Sequence, residues 1–218
     1  MFGWYAHSID GGKRNQDRYA VLDCGNAILA VLADGAGGTG GGESAASLAI
    51  DFCLEAARKR PIDSGLACER PVYQADHEVL ANADGGETTL VVVVATTAVV
   101  FGASVGDSIA WLVEESGRVV DLTERQKRRP FLGSGEARPV AFGPTPLTGG
   151  LVLVSDGVHK YVPQKEVAIA VARMPPEQSV RAVLARLLEL HRSPPDDATI
   201  LVCKFMASSL SKSGTGVK

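Results

Sequence analysis

The stretch Ala30–Ala46, AVLADGAGGTGGGESAA, decides how this chain is read. An apolar run ends on Asp34, breaks into a glycine-rich loop and opens into an alanine-rich segment of helical character. Gly35, Gly37 and Gly40 spell a literal G-x-G-x-x-G between strand and helix, the fingerprint of a dinucleotide-binding loop. In that fingerprint the loop amides and the helix N-terminus receive a pyrophosphate. Asp34 would set a carboxylate beside that anion, and the chain beyond it lacks the parallel βαβ pattern. No G-K-[ST] follows, which removes a P-loop as well. The glycines are better read as letting the backbone fold tightly, and the carboxylate becomes the feature to explain.

The bulk properties narrow the field. The chain has 218 residues, 45% hydrophobic and 22% charged, which suits one globular domain with a sizeable core. A net charge of −3 gives no global reason to expect nucleic acid or anionic lipid as a partner. No apolar run reaches the ~18–20 residues of a membrane span, and the N-terminus lacks a signal-peptide pattern. The cysteines Cys24, Cys53, Cys68 and Cys203 form no C-x-x-C pair. Three of them sit in or beside apolar segments, which fits buried reduced thiols and a cytoplasmic location. A phosphatase-type catalytic cysteine needs an arginine six residues on. Those positions hold Ala30, Lys59, Gln74 and Ser209.

Strands are expected at 3–9, 17–23, 26–34, 88–96, 98–105, 109–115, 149–157 and 198–205. Helices are expected at 43–59 (Ala45, Leu48, Ala49, Phe52 and Ala56 on one face), 73–82, 163–173 and 176–192. The Arg-, Pro- and Gly-rich segment 122–148 shows no period and reads mostly as loop. Residues 1–206 are expected to form a single domain, and the polar residues 207–218 a disordered tail. Strands grouped with strands, and long helices between groups, favour an α+β layered sandwich over a doubly wound sheet.

Strand after strand stops or starts on an aspartate. Asp34, Asp107 and Asp156 end apolar runs next to glycine, Asp17 heads "DRYAV", and Asp196 precedes "DATILV". One such aspartate is usually a turn residue. Five brought to one edge would repel one another and raise each other's pKa unless a cation neutralises them. An all-oxygen set without His or Cys points to Mg²⁺ or Mn²⁺, not zinc.

In order, "NQD", "LADGAGG…GGESA", "GGETTLVVV", "VGDSIAWL", "LVLVSDG" and "DDATILV" resemble the motifs of the metal-dependent serine/threonine protein phosphatases of the PP2C (PPM) family, here a short bacterial-type member. The resemblance spans roughly residues 3–205 and implies a four-layer α-β-β-α sandwich of two antiparallel sheets. By resemblance, Asp34 bridges two metal ions, the Gly35 carbonyl ligates one, and Asp156 and Asp196 complete the second. Asp17 resembles the aspartate that holds metal-bound water, and Asp107 the ligand of a weak third ion. The implied reaction is hydrolysis of phosphoserine or phosphothreonine by a metal-activated water at a two-metal Mn²⁺ or Mg²⁺ centre, without a covalent phospho-enzyme. The catalytic set is then Asp34, Asp156 and Asp196. The partner is a phosphorylated protein, a cognate Ser/Thr kinase or its target, and the chain is expected to act as a monomer without nucleic acid or membrane.

The chain departs from the family pattern in several places. Gly12 stands at the usual position of the phosphate-binding arginine, leaving Arg14 as the candidate. Ile109 and Lys160 replace the arginine of "GDSR" and a carboxylate four residues after Asp156, so a third metal would meet an ammonium. Thr39 stands where many bacterial relatives have histidine, and Asp197 where the family has asparagine. The segment before Gly150 is short, leaving little room for a substrate flap. These departures motivate a second reading, a catalytically weak phosphoprotein- or kinase-binding module, for which "ERQKRRP" (124–130) is the docking candidate. A third reading, a serine hydrolase using Ser104 of Gly102-Ala-Ser104-Val-Gly106, lacks the helix that a nucleophile elbow requires, and His159 and His191 read as surface or loop residues.

Overall fold

Alternation along the strands builds the layers. In the computed structural model, which describes residues 1–12, 14–36, 41–59 and 62–206, the chain runs through β1 (Phe2–Ile9), β2 (Arg18–Asp23), β3 (Ala27–Ala33), the two-residue β4 (Gly35–Ala36), α1 (Gly41–Lys59) and α2 (Gly65–Asn82). It continues through β5 (Glu87–Thr88), β6 (Leu90–Thr96), β7 (Val99–Val105), β8 (Ile109–Glu114), β9 (Val119–Asp121), β10 (Val140–Pro146) and β11 (Gly149–Val154). The last elements are α3 (Asp156–His159), α4 (Gln164–Arg173), α5 (Pro176–His191) and β12 (Ala198–Phe205). Gly37, Thr39, Gly40, Lys13 and the tail 207–218 lie outside the described residues.

Two five-stranded antiparallel sheets face each other, ordered β1-β12-β11-β8-β9 and β10-β7-β6-β3-β2. The period-2 geometry of a strand sends successive side chains to opposite faces. In β3, Ile28, Ala30 and Leu32 enter the layer between the sheets, while Leu29, Val31 and Ala33 meet α1 and α2. Strand β12 does the same: Leu201 and Cys203 face the other sheet, Ile200 and Val202 face α4 and α5. Because both faces of the central strands are buried, they read as unbroken apolar runs rather than alternating ones. Each such Leu or Val withdrawn from water contributes about 1.5–3 kcal/mol. The result is the α-β-β-α sandwich expected from the sequence, and Cys53, Cys68 and Cys203 are buried free thiols within it. Among the described residues, no helix is long and apolar enough to cross a membrane.

Two expectations need correction. Helix α2 begins at Gly65, not near 73: Ser64 caps it by accepting from Ala67 N, and Pro71 lies inside it. Proline lacks the amide of a regular turn, so the first two turns do not look helical in sequence. The segment 122–148 contains β10, paired with β7 at the sheet edge and bulged between Phe142 and Thr145. An edge strand with Gly143 and Pro144 in its bulge carries no alternation to read.

Candidate active site

Register, rather than sequence distance, gathers the aspartates. Arg18 pairs with Ala33, so the start of β2 lies beside the end of β3, setting Asp17 near Asp34. Leu32 pairs with Val91, and Leu90 with Val105, which brings the end of β7 and then Asp107 to the same rim. In the opposite sheet Val154 pairs with both Ile109 and Ile200. The end of β11 and the start of β12 therefore carry Asp156 and Asp196 to that rim too.

The backbone at Asp34 is clamped on both sides. Its amide donates to Thr89 Oγ1 (3.0 Å), and its carbonyl accepts from Thr88 Oγ1 (2.9 Å) and from Thr89 N (2.9 Å). Thr89 Oγ1 also lies 2.7 Å from Ser108 Oγ, which ties the clamp to the turn holding Asp107. Glycine is required at position 35 because a Cβ on Gly35 would stand 2.3 Å from the carbonyl oxygen of Gly42. Gly106, at φ +94°, makes the left-handed turn before Asp107, a conformation that glycine adopts without cost. The threonines of "GGETTLVVV" are thus supports of the rim. Their sequence signal was the polar pair heading an otherwise apolar strand.

Asp17 is 3% exposed. Thr199 Oγ1 donates to its Oδ2 at 2.7 Å, and Thr199 Oγ1 in turn lies 2.6 Å from Ser8 Oγ, itself bonded by Asn15 Nδ2. Asp17 Oδ1 is buried without a hydrogen-bond partner. Burial, with the charges of Asp197 and Asp156, lifts the Asp17 carboxyl to about 7 against the pull of Thr199 and Ser155. For Asp34 burial and then the charges of Asp17, Asp156, Asp196 and Asp107 push the pKa to about 10. Asp196 is raised as well, by desolvation and then by Asp156. Every predicted aspartate therefore acts electrostatically on Asp34, although among the described residues no three His, Cys, Asp or Glu side chains are drawn close enough together to grip an ion.

Cations occupy one side of the rim. Lys160 Nζ lies 2.5 Å from Asp156 Oδ2 and 4.0 Å from Asp107 Oδ2, and Arg128 Nε lies 2.8 Å from Asp107 Oδ2. Asp107, Arg128, His159 and Lys160 border a groove of about 450 Å³ that also includes Gly106. His159 Nε2 is 3.0 Å from the Asp107 carbonyl, an acceptor, so that nitrogen carries the proton. Burial lowers the His159 pKa despite this bond, leaving a neutral ring that braces the turn.

The other candidates sort clearly. Asp197 accepts from Gly11 N (2.8 Å) and Gln16 N (2.7 Å), fastening the loop before β2 to the start of β12. Arg14 is paired with Glu43 of α1, which also holds Arg18. Ser104 lies within β7, 1% exposed and followed by a turn and β8, not by a helix, so the nucleophile elbow is absent. In the segment 124–130, Arg128 is engaged by Asp107 and Arg129 by Glu87, with Arg129 also over the Phe131 ring.

The chain is thus an α-β-β-α sandwich of two antiparallel sheets with aspartates gathered along one rim. The chain belongs to the protein phosphatase 2C family, whose model matches residues 6–191. The Mycobacterium tuberculosis serine/threonine phosphatase PstP/Ppp superposes with a TM-score of 0.79 at 20% identity, over 94% of this chain and 99% of that one. The catalytic domain of PstP in complex with two manganese ions gives 0.78 at 21% identity, covering 93% and 97%. Stp1 from Staphylococcus aureus gives 0.78 at 19%, covering 95% and 96%. At these identities the likeness speaks for the fold. No match was found among curated proteins.

Proposed function

We propose that this chain is a Mn²⁺- or Mg²⁺-dependent protein phosphatase acting on phosphoserine and phosphothreonine. The observation that carries the reading is the strand register that brings Asp17, Asp34, Asp107, Asp156 and Asp196 to one rim, where burial and the neighbouring aspartates raise the pKa of Asp34. A carboxylate so placed is held ionised at neutral pH by added positive charge. The donor chemistry suits a hard divalent ion, which would draw the carboxylates closer: carboxylates, a backbone carbonyl and an unpartnered Asp17 Oδ1.

Asp34, Asp156, Asp196 and the Gly35 carbonyl would hold two ions, with Asp17 beside them. Such ions, when bound, lower the pKa of water toward ~7 and polarise phosphoryl oxygens. Asp17, fixed through Oδ2 by Thr199, would accept a hydrogen bond from a water at the rim through its unpartnered Oδ1. Arg14, once released from Glu43, presents a fork of donors suited to the substrate phosphate. The groove bordered by Gly106, Arg128 and Lys160 gives the flanking peptide a path to the rim. The substrate is a phosphorylated protein, a kinase or its target, met in the cytoplasm by a monomer.

The test is hydrolysis of p-nitrophenyl phosphate and of a phosphothreonine peptide with Mn²⁺, with EDTA and in Asp34→Asn. Activity with Mn²⁺ that EDTA and the substitution abolish supports the reading; activity that survives both overturns the metal mechanism. The lysine pinned to Asp156 favours the second reading, a weakly active phosphoprotein-binding module. Phosphopeptide binding by a wild type inactive with Mn²⁺ would select it.

A further inference from the structure

The rim is not uniform in charge. Lys160 sits four residues after Asp156, at the end of the single turn of α3, and its ammonium reaches Asp156 Oδ2 at 2.5 Å and Asp107 Oδ2 at 4.0 Å. Arg128, from the loop after β9, adds a second cation on Asp107 Oδ2 at 2.8 Å. Two aspartates from different sheets are thus joined through cations belonging to the chain. On the other side, among the described residues, the groups that act most on Asp17 and Asp34 include no lysine or arginine.

We propose that Lys160, backed by Arg128, is a built-in cation that links Asp107 and Asp156 where an ion would otherwise bind, confining metal binding to the Asp34 and Asp196 side. The inference rests on the rim being an ion site at all. The physical case is occupancy and repulsion. An ion between Asp107 and Asp156 would have to displace an ammonium in contact with one and near the other, while Arg128 repels it from the Asp107 side. Both contacts use Oδ2 of the aspartates. Lys160 is a positioning residue in this account: it holds two carboxylates and touches no reacting atom.

The experiment counts Mn²⁺ ions per chain by the paramagnetic resonance of free Mn²⁺ during titration of the intact protein. Lys160→Asp is expected to bind an additional ion relative to wild type, and the gain is expected to vanish in Lys160→Asp/Asp107→Asn. Lys160→Ala, which adds no carboxylate and guards against misfolding of the first variant, should gain the same ion with lower affinity. Lys160→Arg should keep the wild-type count. Equal counts in wild type, Lys160→Asp and Lys160→Ala overturn the proposal, as does a wild-type count that Asp107→Asn lowers. A wild type that binds no Mn²⁺, beside a Lys160→Asp variant that does, sinks the two-ion reading while leaving the role of Lys160 intact.

Discussion

Asp34 and Asp156 end buried strands with the same Asp-Gly step, and the chain treats them in opposite ways. After Asp34 it enters β4 and pairs with β5, so the charges that act most on that carboxylate among the described residues come from other elements and are negative. After Asp156 it turns at once into α3, which returns Lys160 to the carboxylate one turn later. The same local motif therefore yields an aspartate starved of positive charge and one supplied with it. The element entered after the Asp-Gly step shapes the surroundings of its carboxylate: α3 supplies Asp156 with a lysine at i+4, whereas β4 brings Asp34 no such local partner among the described residues.

The strongest way to break this contrast is to remove the starved carboxylate. Asp34→Asn should lower phosphatase kcat by on the order of 10²–10³-fold or more, the scale for losing one electrostatic support of a transition state. Far-UV circular dichroism should be unchanged. Retention of activity in that variant would show that Asp34 is not central to the rim.

A second test uses stability of the metal-free protein. A carboxyl whose folded pKa lies above its unfolded value of 3.8 contributes stability that is full at low pH and is lost as pH rises toward the folded value. For Asp17 the loss runs from about 3.8 to about 7, and for Asp34 it continues to about 10. In EDTA, Tm should therefore fall between pH 5 and pH 9, at up to about 1.4 kcal/mol of stability per pH unit per group. Asp34→Asn should flatten the fall above about pH 8, where Asp17 has largely finished titrating, and Mn²⁺ should reverse it. A slope that Asp34→Asn leaves untouched would place the charge strain elsewhere.

Asp76 sharpens the comparison with a third way of holding a carboxylate. It is 0% exposed on α2 and accepts from Gly133 N (2.7 Å), Gly135 N (3.1 Å) and Ala137 N (3.0 Å), pinning the loop before β10. Its neutraliser is the backbone, so it needs neither lysine nor ion. Asp76→Ala leaves three amides without their acceptor and should cost about 3 kcal/mol or more in urea unfolding. Mn²⁺ binding should be unaffected except through that stability.

These three aspartates also mark how far the sequence could be read. The layers were legible because unbroken apolar runs of strand length mean burial on both faces, and the rim was legible because five strands ended or began on aspartate. Lys160 stood out as a departure, and its i+4 spacing from Asp156 made the contact readable once α3 was recognised as a turn of helix. Asp76 was not legible: its partners are amides nearly sixty residues away, and it lies in a helix whose first half Pro71 disguises. The clamp of Thr88, Thr89 and Ser108 was hidden for a similar reason, since only strand register brings Ser108 to Thr89. Tertiary neighbours, not local pattern, decide whether a buried polar residue has a partner.

Arg14 gives the smallest expected effect and the finest test of how the open side of the rim meets a phosphate. Its side chain is 71% exposed and paired with Glu43, which Arg18, at 32%, also holds. An exposed pair of this kind is worth about 0–1 kcal/mol, so Arg14→Ala should barely move Tm, and Glu43 keeps Arg18. The same small value makes Arg14 free to leave Glu43 when a doubly charged phosphate arrives, a stronger acceptor for a guanidinium fork. If it does so, Arg14→Ala should raise KM for a phosphopeptide by about 3–10-fold, roughly 1 kcal/mol of lost ground-state contact, with kcat nearly unchanged. A fall in kcat at constant KM would instead assign Arg14 to the transition state. No change in either would return it to the solvated turn that its exposure suggests, leaving the phosphate to the cation-starved side of the rim and whatever ions that side binds.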